Sequence, residues 1–302
     1  MSTSSLEYAL VDVFAEQPLE GNMLAIFTDA RGLSTDQMQA LARETNLAET
    51  TFILPANDPE QERTAGVRVR IFTTREELRF AGHPTLGTAS WLHLHHPVLR
   101  GAQSITLTLD VGPITVRFKP QQPGVPGVYG TMQQADPTFG NVFPPTEIAR
   151  LFNMPSEDFD PVHPIQTVST GMPFCIVPMR SLAALQRLEI PQAAANAWLA
   201  RSDAKFFYCL ARAETPGVDF HARMQFYNGE DPATGSAAGC AIAWLVRHHL
   251  VASAHPTVLE QGLEIRRPSR LYVQATATNG KIIDVFVGGR TIQVASGRFL
   301  LP

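Results

Sequence analysis

The sequence predicts an α+β protein of two similar domains, each a β-barrel-like antiparallel or mixed sheet wrapped around a central helix. Three observations predict it. Residues 229–245, GEDPATGSAAGCAIAWL, pass from two carboxylates and a proline into small apolar side chains that leave no polar face, the mark of a helix walled in by protein. Residues 77–92, ELRFAGHPTLGTASWL, repeat that logic as a strand, a Gly-His-Pro turn and a second helix of small residues. The repetition has a nearly constant offset. Pro84, Gly87, Thr88 and Ala89 align with Pro232, Gly235, Ser236 and Ala237, 148 positions on (84 to 232). GNMLAIF from Gly21 aligns with GMPFCIV from Gly171, and Gly112 with Gly262, each 150 on. Lastly, many short β-rich runs flank both helices, and a sheet curled around each helix supplies its walls while removing exposed edges.

With 302 residues, the chain exceeds the roughly 250 at which single cores stop growing. The predicted domains are 1–125 and 126–302, with the last strand, about 290–302, a candidate to return to the first. Six prolines between 120 and 145 mark the crossing. A net charge of −4 offers no field for nucleic acid or an anionic membrane. The opening MSTSSLEYAL lacks the basic and apolar regions of a secretory signal, and no run approaches the roughly 20 apolar residues of a membrane span. A cytoplasmic location with no membrane contact is expected. Cys175, Cys209 and Cys240 form no C-x-x-C pair, which argues for buried reduced thiols rather than a disulfide framework or a zinc site.

In order, YALVDVF (8–14) and LAIF (24–27) read as a hairpin around a turn carrying Pro18, Gly21 and Asn22. Ser34 and Gln37 form a capping box, and Met38, Leu41 and Ala42 an apolar stripe, so a helix runs to about Thr45. TTFIL (50–54) and VRVRIF (67–72) are strands, the second with one wet face. After the crossing, which holds a strand at 128–132, come a helix at 145–152, strands at 165–169 and 174–177, and helices at 181–188 and 191–199. Strands at 206–212 and 219–226 lead into Asp231, and the tail alternates through LYVQATA and IIDVFV to a short strand near 291–299.

Pro232 suits the first turn of a helix and Asp231 its N-cap, so the second small-residue helix is expected to start here and present free amides to an anion such as a carboxylate. The same residues are consistent with a cap and close packing alone. His93, His95 and His96 form a dense group without acidic or thiol partners nearby in sequence, which reads as solvated helix-end histidines rather than a metal site. The glycine-rich turns lack the GK[ST] of a phosphate loop.

Gly21 with Asn22, NLAETTF (46–52), FAGHPTLGTA (80–89) and GEDPATGSAAG (229–239), in this order, resemble the signature segments of the PhzF-like isomerase family of phenazine biosynthesis, which has the diaminopimelate epimerase-like fold. The resemblance runs from about Tyr8 to the C-terminus. It implies two sibling domains with a site in the cleft between them, a homodimer, and neither metal nor organic cofactor. Matched position by position, it implies Glu49, His83 and Asp231 as catalytic groups, and Gly82, Gly235, Ser236 and Asn22 as substrate-binding positions. Racemases of the wider fold use two cysteines as acid and base. Here neither the Gly-His-Pro nor the Glu-Asp-Pro turn holds one, so carboxylate and imidazole chemistry is expected instead.

The implied activity is a cofactor-independent isomerisation in which Glu49 moves a proton between carbons of a small carboxylate metabolite, like the trans-2,3-dihydro-3-hydroxyanthranilate isomerase of phenazine biosynthesis. A carbon base needs a pKa above an unperturbed carboxylate's, which desolvation supplies. The alternatives are an epimerase or racemase of a small amino or hydroxy acid using carboxylate and histidine chemistry, and a non-catalytic ligand-binding member of the fold.

Overall fold

The structure, a computed structural model, describes residues 4–226 and 229–301. The chain divides into two compact units, residues 1–132 with 288–302, and residues 133–287.

In the first unit the chain forms β1 (Ser4–Val13), β2 (Asn22–Phe27), α1 (Thr35–Thr45), β3 (Glu49–Leu54), α2 (Glu62–Ala65), β4 (Val67–Phe72), β5 (Glu77–Leu78), α3 (Gly82–His95), β6 (Ser104–Leu109), β7 (Gly112–Phe118) and β8 (Val128–Gln133). The second unit holds β9 (Thr138–Phe143), α4 (Pro145–Phe152), β10 (Ile165–Ser169), β11 (Pro173–Pro178), α5 (Leu182–Gln186), α6 (Gln192–Leu199), β12 (Phe206–Arg212), β13 (Phe220–Arg223), β14 (Gln225–Phe226), β15 (Gly229–Glu230), α7 (Gly235–Arg247), β16 (Thr257–Gln261) and β17 (Ser269–Thr278). A long strand, β18 (Lys281–Leu301), begins in the second unit and ends in the first.

In the first unit the order β1-β2-β3-β4-β6-β7-β8-β18 closes through a β1–β18 pairing, so eight strands make a barrel without edges. Helix α3 packs against β1, β2, β3, β6 and β7 and is buried from Gly82 through Ser90. That close approach depends on small residues: a Cβ on Gly87 would lie 2.7 Å from the side chains of both Val13 and Leu24. A buried hydroxyl pair, Thr51 to Thr88 at 2.9 Å, ties the helix to β3.

The second unit repeats the ladder senses. From β1 to β7 the pairings run antiparallel, parallel, antiparallel, parallel, antiparallel through β2, β3, β4 and β6. From β10 to β17 they run in the same sequence of senses through β11, β12, β13 and β16. Each sheet has its own apolar helix: α7 packs on β10, β11 and β17 and is buried from Gly235 to Val246 except at Ser236. Fully buried Trp244 and Ile242 on α7 contribute about 1.5–3 kcal/mol each through the apolar surface they remove from water. Gly239 admits no side chain, because a Cβ there would collide with the Gln134 carboxamide.

The fold class is as the sequence predicts. Local signals also held where they were local: Ser34 accepts from Gln37 N–H at 3.2 Å and Gln37 returns its carbonyl to Ser34 N–H at 2.9 Å. Two helix starts differ from expectation, in opposite directions. Helix α3 begins at Gly82 with Ala81 at the cap, so Gly82, His83 and Pro84 lie inside its first turn rather than in a preceding turn. Helix α7 begins at Gly235 with Thr234 at the cap, so Asp231 and Pro232 precede it and Asp231 is not its N-cap. The crossing also contains a second strand, β9, and the tail's last two runs are the one continuous β18.

Candidate functional site

Gly21 sets up the first group of candidate residues. Its φ of +71° and its approach to the Val13 carbonyl leave no room for a side chain, so the turn into β2 can close tightly. The next residue, Asn22, is thereby held buried at the start of β2, opposite Val13. Glu49 opens β3, parallel to β2 and in register with Leu24. Buried His83 comes from the first turn of α3, next to buried Gly82. Asn22 Nδ2 lies 3.3 Å from His83 Nδ1, and Glu49 Oε2 lies 3.6 Å from the same nitrogen. The fold of this unit therefore gathers Asn22, Glu49, Gly82 and His83, which lie up to 61 residues apart in sequence.

Burial pushes the His83 imidazole down to about 3, outweighing the hydrogen bond to the Met23 backbone that favours its charged form. The ring is therefore neutral at neutral pH. Nδ1 faces the Asn22 amide and the Glu49 carboxylate, while Nε2 is a buried atom with no hydrogen-bond partner among the described residues. Leaving such a buried polar atom unmet costs about 1–3 kcal/mol, so its retention marks a place where a ligand atom fits.

The depressed value has a consequence for stability. Between the unfolded value near 6.5 and the folded value of about 3, the unfolded chain binds more protons at this site. Stability from His83 is then fully present above about pH 6.5 and is lost as pH falls toward 3, with a limiting slope of about 1.4 kcal/mol per pH unit. Urea unfolding between pH 7 and 4 is expected to show a shallower acid loss in His83→Phe than in the parent. Parallel curves would exclude the buried neutral imidazole.

In the second unit the candidates gather before α7. Asp231 is buried, and its Oδ2 accepts from the Thr234 hydroxyl at 2.5 Å. The Asp231 N–H donates to the Met224 carbonyl at 2.9 Å, and its carbonyl accepts from Gln261 Nε2 at 2.7 Å. Gly235 and Ser236 are the first two helical residues, where N–H groups lack intrahelical acceptors and the helix dipole favours an anion. Ser236 is the partly exposed residue of that turn. On the far side, Gln134 Nε2 donates to the Gly235 carbonyl at 2.9 Å while its Oε1 accepts from Thr170 at 2.6 Å.

Cys240 takes no part in acid–base chemistry here. It is fully buried in α7, and burial pushes its thiol up to about 11, so it stays protonated at neutral pH. The histidine group of the first unit separates. His93 bonds to the Ala102 carbonyl and His95 to Gln293. His96, expected at a solvated helix end, is buried instead and bonds Glu62 at 2.7 Å. Glu62 lies 34 residues earlier, which sequence proximity does not reveal. Among the described residues no set of three or more His, Cys, Asp or Glu side chains converges as metal ligands.

Sequence reasoning missed the residues that hold Asp231 in place. Gln261 and Tyr208 are buried beneath it, and Arg223 forms a two-pronged ion pair with Glu230, at 2.9 and 2.7 Å, immediately before it. The alignment of Gly112 with Gly262 singled out that glycine but gave no reason to single out the glutamine before it. All three free cysteines are buried, and no helix among the described residues is long and apolar enough to cross a membrane.

Comparison with known proteins places this geometry. The family model described as phenazine biosynthesis-like protein matches residues 11–297. A trans-2,3-dihydro-3-hydroxyanthranilate isomerase of Pseudomonas aeruginosa is 34% identical over 97% of this chain and 99% of its own. Among solved structures, a P. aeruginosa protein described as a predicted epimerase is 37% identical, covers 98% of this chain and 100% of its own, and superposes with a TM-score of 0.82. A Bacillus anthracis phenazine biosynthesis protein of the PhzF family is 25% identical over 99% and 100% of the two chains, with a TM-score of 0.87. The match over nearly the whole length, in sequence and in fold, shows that this chain belongs to the phenazine biosynthesis-like protein family and is an isomerase.

Proposed function

We propose that this isomerase moves a proton between carbon atoms of a small carboxylate metabolite of the trans-2,3-dihydro-3-hydroxyanthranilate type. Glu49 removes the proton from one carbon and returns it to another of the same π system, so atoms and charge balance without a co-reactant. The observation that carries the reading is the group in the first unit: a carboxylate 3.6 Å from a neutral, buried imidazole whose Nε2 has no partner among the described residues. A neutral imidazole beside a carboxylate leaves the base its negative charge and turns an unpartnered ring nitrogen, Nε2, to the substrate. His83 and Asp231 assist as relay groups. Ser236, Gly235 and the amides of α7 receive the substrate carboxylate and the charge that develops in the transition state, and Gly82 and Asn22 position the reacting end. This chemistry asks for no metal or organic cofactor. The three buried free thiols fit a cytoplasmic location, and the homodimer expected from the family resemblance belongs to the same reading.

The test is isotopic. Incubation with trans-2,3-dihydro-3-hydroxyanthranilate and related cyclic acids in D₂O is expected to give an isomer carrying deuterium at the newly protonated carbon, read by NMR. Deuterium returned to the original carbon with inversion would instead identify an epimerase. Across such a panel, unchanged acids with no deuterium at any carbon would refute both.

A further inference from the structure

We infer that Gln261, acting through Thr234, is a positioning device that holds Asp231 as a carboxylate of fixed orientation. The inference rests on the proposed participation of Asp231 in proton transfer. It follows from counting donors and acceptors around one buried amide. Gln261 is fully buried. Its Oε1 accepts from the Thr234 backbone N–H at 3.2 Å, and its Nε2 donates to the Asp231 carbonyl at 2.7 Å. A main-chain N–H can only donate and a main-chain carbonyl can only accept, so these two bonds fix which end of the amide is which.

The remaining bonds then have one direction each. Tyr208 is buried, and burial and the Asp231 charge push its phenol well above the usual range, so it keeps its proton and donates to Gln261 Oε1 at 3.1 Å. Gln261 Nε2 spends its second proton on Thr234 Oγ1 at 3.0 Å. The Thr234 hydroxyl, already an acceptor, has a single proton to give, and Asp231 Oδ2 stands 2.5 Å away to take it. A protonated Asp231 donating back along this contact would strand the hydroxyl proton in a buried place. The arrangement selects the ionised form and pins the carboxyl plane to β16 through Gln261. Glu230, which precedes Asp231 in sequence, is itself paired with Arg223.

Substituting Thr234→Val removes the donated proton at nearly constant volume. Titration of the Asp231 carboxyl, followed by carbon NMR of the labelled side chain and assigned by its loss in Asp231→Asn, reads the effect without turnover. Because a hydrogen bond to a charged group typically changes its titration midpoint by about one to two pH units, the midpoint in Thr234→Val is expected to rise by at least about one. Thr234→Ser is expected to restore the parent midpoint, and Thr234→Ala replaces the valine variant if that does not fold. In kinetics, the acid limb of kcat/KM is expected to move up by the same amount in Thr234→Val. An unchanged midpoint in a folded Thr234→Val protein overturns the inference. If the parent isomerises none of the acids above, the proposed function fails while the titration still decides this one.

Discussion

Glu49→Gln is expected to lower kcat for carbon-to-carbon proton transfer by about 10²–10⁴-fold, the usual worth of a positioned general acid or base. The fold is expected to survive. Glu49 stands at the first position of β3, where its backbone makes the ladder to β2, and its side chain is 19% exposed. Glutamine preserves that shape. The neighbouring imidazole sharpens the expectation. Were His83 charged, the substitution would break an ion pair and cost stability. With its titration pushed down to about 3, His83 is neutral at pH 7 and no such pair exists to break. Urea unfolding should therefore show Glu49→Gln still folding cooperatively at pH 7. Initial rates by NMR, together with deuterium wash-in to the substrate, provide the measurement. A folded Glu49→Gln protein with parental turnover would remove Glu49 from the chemistry and with it the proposed mechanism.

The sequence made legible whatever depended on neighbours in the chain. The box of Ser34 and Gln37 closes within one helical turn, and the run of small residues through Ala237, Ala238 and Ala241 can be buried only inside protein. Alternating ladders such as β17 show their period directly. What failed was decided at long range. Asp231 has the identity of an N-cap, yet its carboxylate is taken by Thr234 and its carbonyl by Gln261, 30 residues on, so α7 starts three residues after Pro232. His83 sits before a proline and reads as part of a turn. The barrel around it nevertheless accepts Gly82 and His83 as helical residues, since proline is tolerated in a first helical turn. The identities of Glu49, His83 and Asp231 came from motif resemblance. The structure adds, within the first unit, that Glu49 and His83 are neighbours and, within the second, that Asp231 is fixed from below.

Removing Glu230 is expected to destabilise the second unit by about 3–5 kcal/mol, because it leaves a guanidinium buried without its main counter-charge. Arg223 and Glu230 are each 7% exposed, and both prongs of the pair are short. The third guanidinium nitrogen, Nη1, donates to the carbonyls of Leu185, Gln186 and Leu188 at 2.9–3.0 Å, so the charge cannot swing out to water without unpairing the end of α5. Burial alone would lower the Arg223 pKa; hydrogen bonding to Glu230 turns the balance and raises it. The nearest remaining anion is Glu264, 3.8 Å from Nε. Unfolding in urea, followed by the fluorescence of Trp198 and Trp244, should show the loss in Glu230→Ala. The double variant Arg223→Met with Glu230→Met should recover part of it, since two apolar side chains of similar length carry no charge to desolvate, although the carbonyls at the end of α5 lose the donor Nη1 gave them. Stability and activity then separate. Arg223 and Met224 lie on one side of Asp231, whose N–H is held by the Met224 carbonyl, and Glu230 is the residue before it. A double variant partly restored in stability but still reduced in kcat would show the ion pair setting the position of Asp231. A Glu230→Ala protein within about 1 kcal/mol of the parent would mean that Glu264 suffices to neutralise Arg223, and that the pair does not brace the segment carrying Asp231.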